Sequence, residues 1–201
     1  MFKRIFTTLG LLTLLATPAA AAVVYDDTTK SLVVSGPTTS YQVGKVYKVM
    51  RDSNVLTVTL SGNGGDYYAG LRLGVLIREE GSVVIIPAGV TCVSACAFAA
   101  LGSDKVIIDG ELWFHTPYLN SVPTSKTILE IAQMFGRAYV DMTSYLAQMG
   151  IPMSFGHDLL VRTTTSKFVV IDDGLQIDRM RATESLWVRT IYEYRYASAG
   201  E

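Results

Sequence analysis

The run Val55-Leu-Thr-Val-Thr-Leu60 passes directly into Ser61-Gly-Asn-Gly-Gly65 and then into the helix-like segment 66–80. This junction constrains the fold more than any other stretch of the chain. The first run has the β-branched majority of a strand, and the glycines end it abruptly. Residues 66–80 read as a helix that buries Leu71, Leu73, Val75, Leu76 and Ile77, with Gly81 as its stop. Val83-Val-Ile-Ile86 then reads as the next strand. Strand, turn, helix and strand in that order imply an α/β domain with largely parallel pairing. The helix begins directly after Gly64-Gly65, so its free N–H groups point back toward the turn.

The rest of the chain extends this alternation. Ser31-Leu-Val-Val-Ser35 is a short strand ended by Gly36-Pro37, and a helix follows over Tyr41 to Arg51. Val93 to Leu101 reads as a short helix of small and apolar residues, buried on all sides. Lys105-Val-Ile-Ile108 and Leu112-Trp-Phe-His115 resemble strands separated by the turn pair Asp109-Gly110. The longest helix runs from Thr127 to Met149, with a capping box of Thr127 and Glu130 and a stop at Gly150 and Pro152. Its apolar stripe is Ile128, Ile131, Phe135, Ala138, Met142, Tyr145 and Met149. Beyond Phe168-Val-Val-Ile171 the pattern loses its period. Trp187 to Tyr196 reads as a packed helix or a protein contact.

Three pieces of this chain carry chemistry together. Ser94 sits in Cys92-Val-Ser-Ala-Cys96 at the start of the alanine-rich helix, downstream of the glycine turn and upstream of His115. A serine at a helix start can act as a nucleophile, with a histidine at a strand end as its base. Glycine N–H groups after an apolar strand can stabilise the oxyanion that develops. His157, next to Asp158 in a helical stretch, is the rival base. No His, Cys, Asp or Glu cluster has zinc spacing, and no glycine loop with lysine suggests a nucleotide, so no metal or cofactor is expected.

With its Ser-x-x-Gly-Gly turn, Cys-x-Ser-Ala-Cys helix opening and Phe-His in this order, the chain resembles the ClpP-like serine proteases of the ClpP/crotonase superfamily. The likeness is nearest to their exported, periplasmic-type relatives and covers about residues 31–171. It implies a single-domain spiral of ββα units. It also implies Ser94 as nucleophile, His115 as general base, and an oxyanion hole formed by the N–H groups of Ala95 and the Gly64-Gly65 turn. Asn63 stands where that family often has proline. By the same order an acidic third triad member should lie shortly before Phe168. Here the segment reads Arg162-Thr-Thr-Thr-Ser-Lys167, while Asp158 falls earlier and Asp172 and Asp173 later. The third member stays open between Asp158, Thr164 and none. Disturbing the orienting acid of a triad costs about ten-thousand-fold in rate.

These readings leave three functions in contention. The leading one is a serine peptidase acting on a peptide or protein substrate through an acyl-enzyme. A catalytically silent module that binds peptides or assembles with itself is the second, favoured by the missing acid. The third is a Ser/Lys dyad like that of signal peptide peptidases, with Lys105, Lys126 or Lys167 as base. Cys92 and Cys96 are four residues apart, which in a helix puts their Cα atoms about 6 Å from each other, within disulfide range. A regular helix aims the two Cβ atoms poorly, so a disulfide and a pair of small buried apolar residues both remain open.

The N-terminus bears on where this happens. Lys3-Arg4, a short apolar core and Ala19-Ala-Ala-Ala22 together have the form of a secretory signal peptide over residues 1–22, ahead of one domain over 23–201. The apolar core is too short for a membrane span, which needs about 20 residues. Export to the periplasm or beyond would permit cysteine oxidation. The net charge of −1 comes without a basic stripe, which argues against a nucleic-acid partner. N-terminal sequencing of the protein from the cell envelope should find a start near Ala22 or Val23. A start at Met1 in the membrane fraction would overturn the signal-peptide reading.

Overall fold

In the computed structural model, which describes residues 22–118, 124–183 and 195–198, strands and helices alternate along one mixed α/β domain. The first half comprises β1 (Ala22–Asp26), β2 (Ser31–Ser35), α1 (Ser40–Asp52), β3 (Thr57–Ser61), α2 (Tyr67–Glu80) and β4 (Val83–Ile86). Next come β5 (Thr91–Val93), α3 (Ala95–Ala100), β6 (Val106–Ile108) and β7 (Glu111–Phe114). The remainder is α4 (Ile128–Gln148), α5 (Met153–Arg162), β8 (Lys167–Ile171), α6 (Gly174–Thr183) and β9 (Arg195–Ser198). Residues 1–21 and most of the aromatic stretch from Trp187, up to Tyr194, lie outside the described residues. Of that stretch, Arg195 and Tyr196 belong to strand β9, not to a helix.

Two sheets form. One has the order β1-β2-β3-β4-β6, parallel throughout except at the β1–β2 pair. The other has the order β5-β7-β8-β9, with β5 and β7 parallel and the other two pairs antiparallel. Asp109-Gly110 therefore does not close a hairpin. It carries the chain from β6 in the first sheet to β7 in the second, with the N–H groups of Asp109 and Gly110 both donating to the Ile86 carbonyl. A Cβ at Gly110 would lie 2.2 Å from the Val90 carbonyl oxygen, so this crossing requires glycine.

Local signals set the helix ends. Asp66 caps α2 by accepting from Ala69 N–H, and Gly81 ends the helix in the left-handed conformation. Thr127 and Glu130 form the reciprocal capping box of α4. The apolar stripe of α4, however, is only half used. Met142, Tyr145, Leu146 and Met149 are buried, whereas Ile128 is 87% exposed and Phe135 also faces solvent. Periodicity marks an apolar face but not how much of its length finds a partner.

Helix α3 lies at the centre, every residue of it buried. It packs against α2 without side chains between the backbones: a Cβ on Gly70 would come within 2.4 Å of the Ala95 carbonyl oxygen. Behind it, the buried Tyr145 hydroxyl donates to the Phe98 carbonyl at 2.7 Å and ties α4 to α3. Arg181 of α6 reaches the carbonyls of Leu101, Ser103, Asp104 and Met149, satisfying acceptors near the ends of α3 and α4. Tyr145→Phe should lower stability by about 1 kcal/mol, the usual net value of one such bond. Thermal denaturation checks this, and an unchanged midpoint would mean that the bond does not hold the two helices.

Candidate functional site

The β5–β7 pairing builds the site. These strands run parallel with Val93 opposite Trp113, and Ser94 N–H continues the ladder by donating to the Trp113 carbonyl at 2.7 Å. Ser94 and His115 thus emerge at the carboxyl ends of neighbouring parallel strands, the edge at which open α/β sheets commonly take ligands. On the other side of β5, Gly62 makes an isolated parallel bridge with Cys92. The three chain segments converge on a cavity of about 180 Å³ lined by Gly64, Gly65, Tyr67, Ser94, His115 and Tyr118, among others.

Ser94 is not inside a helix. Val93 ends β5, Ala95 begins α3, and Ser94 is the turn between them, with φ 55° and ψ −120°. Residues with a side chain rarely adopt positive φ, and such a conformation costs about 1–3 kcal/mol. The Ser94 backbone is pinned on both sides by its bond to Trp113 and by Phe98 N–H, which donates to the Ser94 carbonyl at 3.0 Å. Its hydroxyl caps nothing. The strained turn therefore presents a side-chain oxygen with no protein partner among the described residues to the cavity.

The same turn explains the cysteines. Cys92 lies on β5 and Cys96 in the first turn of α3, so the positive-φ serine between them brings their Cα atoms to 5.3 Å, and a disulfide joins them. The poor aim expected of two cysteines on one regular helix does not apply, because they are on different elements.

Gly64 and Gly65 have φ of 81° and 149°. The Gly64 carbonyl accepts from Thr38 N–H at 2.8 Å. In a trans peptide the N–H opposes the carbonyl, so Gly65 N–H points away from Thr38. Gly64 abuts the serine turn: a Cβ there would stand 2.7 Å from Ser94 Cβ and 3.1 Å from Ala95 N. Neither glycine has room for a side chain, since a Cβ on Gly65 would meet the Thr38 carbonyl oxygen at 2.4 Å. Ala95 N–H belongs to the first turn of α3, where backbone donors lack helical acceptors.

His115 is buried, with its ring against Tyr118 and Phe168 at centroid distances of 5.2 and 5.3 Å. Its Nδ1 lies 2.8 Å from the Thr116 carbonyl oxygen. A carbonyl only accepts, so Nδ1 carries the proton and Nε2 is left as the basic nitrogen. No hydrogen bond joins Ser94 to His115. No carboxylate among the described residues bonds to His115. Asp158 pairs with Arg162 at 3.1 Å, and Thr164 accepts from the N–H groups of Ser166 and Lys167 in an exposed turn. The threonine next door is the one that faces inward: Thr163 accepts from Thr116 N–H at 2.9 Å. Thr116 and Thr163 escaped the sequence reading. The threonine run was visible, but not which hydroxyl the chain turns toward Thr116, the residue after His115.

The remaining candidates fall elsewhere. His157 is exposed on α5 and does not line the cavity. Neither do Lys105, Lys126 or Lys167, and Lys126 pairs with Glu130 at 3.7 Å. Among the described residues no cluster of three or more His, Cys, Asp or Glu side chains could hold a metal, and no helix is long and apolar enough to cross a membrane.

No protein-family model matches this sequence, and no curated protein does either. Solved structures do resemble it. One is a mutant of 1510-N, a membrane-bound stomatin-specific protease, at 13% identity and a TM-score of 0.51 over 75% of each chain. Another is a mutant of ClpP1 from Listeria monocytogenes, at 17% identity and a TM-score of 0.50, covering 65% of this chain and 78% of that one. At such identities the likeness is one of fold: the chain is a distant structural relative of proteins with protease folds.

Burial pushes the His115 pKa below the ordinary imidazole value of about 6.5, and the Thr116 hydrogen bond opposes this more weakly. The unfolded chain therefore binds the proton at a higher pH than the folded one. This group's contribution to stability is complete above about pH 6.5 and declines as the pH falls toward the folded pKa. An NMR titration should place the His115 midpoint below 6.5. A midpoint at or above that value would contradict the closed environment of the ring.

Proposed function

We propose that this protein is an exported serine hydrolase, most plainly a peptidase, built on a ClpP/crotonase-type spiral. The observation that carries the reading is the positive-φ Ser94 at a strand-to-helix turn, sharing one cavity with a glycine turn and with a buried histidine whose Nδ1 is held by the Thr116 carbonyl. The resemblance of the fold to proteins of protease type supports it.

In this reading Ser94 Oγ attacks a substrate carbonyl and gives its proton to His115 Nε2. The oxyanion is held by the N–H groups of Gly65, Gly64 and Ala95, with the N-terminal end of α3 adding positive potential. His115 then passes its proton to the leaving amine, and water hydrolyses the acyl-enzyme by the reverse sequence. Residues 1–22 serve as a signal peptide, which places the protein in the periplasm or outside the cell.

One observation favours a second reading, a catalytically silent peptide-binding or self-assembling module: no carboxylate bonds to His115 among the described residues. A fluorophosphonate probe separates the two. Labelling of the folded protein should disappear in Ser94→Ala and slow about a hundred-fold or more in His115→Ala. It should stay nearly unchanged in His157→Ala. Wild-type protein that is folded yet refuses the probe would support the silent module.

A further inference from the structure

The segment before β8 holds a hydroxyl cluster that the reaction scheme has not used. Thr163 is buried at the end of α5. Its Oγ1 accepts from Thr116 N–H at 2.9 Å and donates to the Leu159 carbonyl at 2.6 Å. Thr116 Oγ1 also donates to the Leu159 carbonyl, at 2.6 Å, and lies 3.1 Å from Thr163 Oγ1. Thr116 is therefore held at its N–H and at its hydroxyl by the last turn of α5. Its one remaining backbone group, the carbonyl, is the group that accepts from His115 Nδ1.

We propose that Thr163 is a positioning residue for His115: through the clamped Thr116 it aims a backbone carbonyl at Nδ1, which keeps the proton there and leaves Nε2 bare toward Ser94. The catalytic part of this proposal rests on the Ser94–His115 reading, whereas the tautomer part does not.

Hydrogen-bond economy supports the assignment. Thr163 Oγ1 spends its single proton on Leu159, so toward Thr116 N–H it acts as an acceptor. Valine has nearly the same shape and cannot accept, so Thr163→Val would leave the half-buried Thr116 N–H without its partner, which is costly. Thr116 would then be held only by its hydroxyl bond to Leu159, so its backbone dihedrals, and through them the carbonyl of the following peptide, would be held less tightly. Serine keeps the acceptor. An imidazole whose orienting partner is lost changes its tautomer balance and its basic nitrogen together. Tyr118 and Phe168 pack beside the ring, and among the described residues no charged side chain bonds to His115, so the carbonyl is the group that sets the tautomer.

The test uses the mature protein labelled with 15N, read by long-range 1H–15N correlation of the ring nitrogens, together with fluorophosphonate labelling across pH. The wild type should show His115 protonated at Nδ1 and bare at Nε2 at neutral pH. Thr163→Val should shift the population toward the Nε2–H form and slow labelling by on the order of tenfold. Thr163→Ser should restore both. A folded Thr163→Val protein with wild-type tautomer and labelling rate overturns the proposal. So does a wild-type spectrum dominated by Nε2–H, which requires no variant to fold. If the tautomer shifts as expected while even the wild type resists the probe, the hydrolase reading fails and the link from Thr163 to His115 stands.

Discussion

The hydrogen bond from Ser94 N–H to the Trp113 carbonyl extends the β5–β7 ladder one residue beyond β5. The geometry of the candidate site depends on that extra rung. It holds the serine beside the strand end that carries His115, and it pins the peptide before a turn that a side-chain-bearing residue would not otherwise adopt. The Gly62–Cys92 bridge does the corresponding work on the opposite edge of β5, drawing the glycine turn toward the same cavity. A short strand of three residues thereby brings Ser94, His115 and the Gly64-Gly65 turn to one cavity.

Close packing keeps the strained turn in place. Gly64 touches the turn from one side, and Gly70 of α2 lies against the Ala95 carbonyl on the other. The Cys92–Cys96 disulfide spans the turn covalently. In the chain-entropy account, closing so short a loop is worth about 2 kcal/mol, comparable to the strain of one disfavoured backbone conformation. The glycines that face the start of α3 have a common cause: Gly64 and Gly70 let backbones approach the Ser94–Ala95 turn to contact distance, where a side chain would intrude.

His115 sits in an environment that differs in kind from a carboxylate-backed imidazole. A carbonyl oxygen fixes the tautomer as well as a carboxylate does, but it bears only a partial charge and stabilises an imidazolium less. Burial of the ring, packed beside Tyr118 and Phe168, further favours the neutral form. The ground state is thus prepared for proton acceptance, while the protonated intermediate receives little electrostatic support. Under the proposed hydrolase reading, such a base suits slow turnover, or a substrate whose own groups complete the site.

Much of the architecture was legible in local pattern. The alternation around residues 55–86, the capping box at Thr127 and Glu130, and the glycine stops at Gly81 and Gly150 reflect helix and strand periods and orphan backbone groups, which neighbouring residues settle among themselves. The candidates Gly64, Gly65, Ser94 and His115 were also visible, as residue types in a telling order, and the structure brings them to one cavity. What local pattern could not decide was register and facing. Asp109-Gly110 looked like a hairpin but crosses between sheets, because the Ile86 carbonyl, more than twenty residues earlier, captures both of its N–H groups. Ser94 looked like part of a helix but is a strained turn, because Trp113 holds its N–H from the adjacent strand. Which of three consecutive threonines faces inward depends on a bond between Thr116 and Thr163, 47 residues apart. By itself the sequence determined the elements and the chemistry available to them, since both follow from short-range periods and residue types. Only the tertiary structure decided which threonine holds Thr116 and which backbone Ser94 is held against, since those partners come together only when distant segments pack.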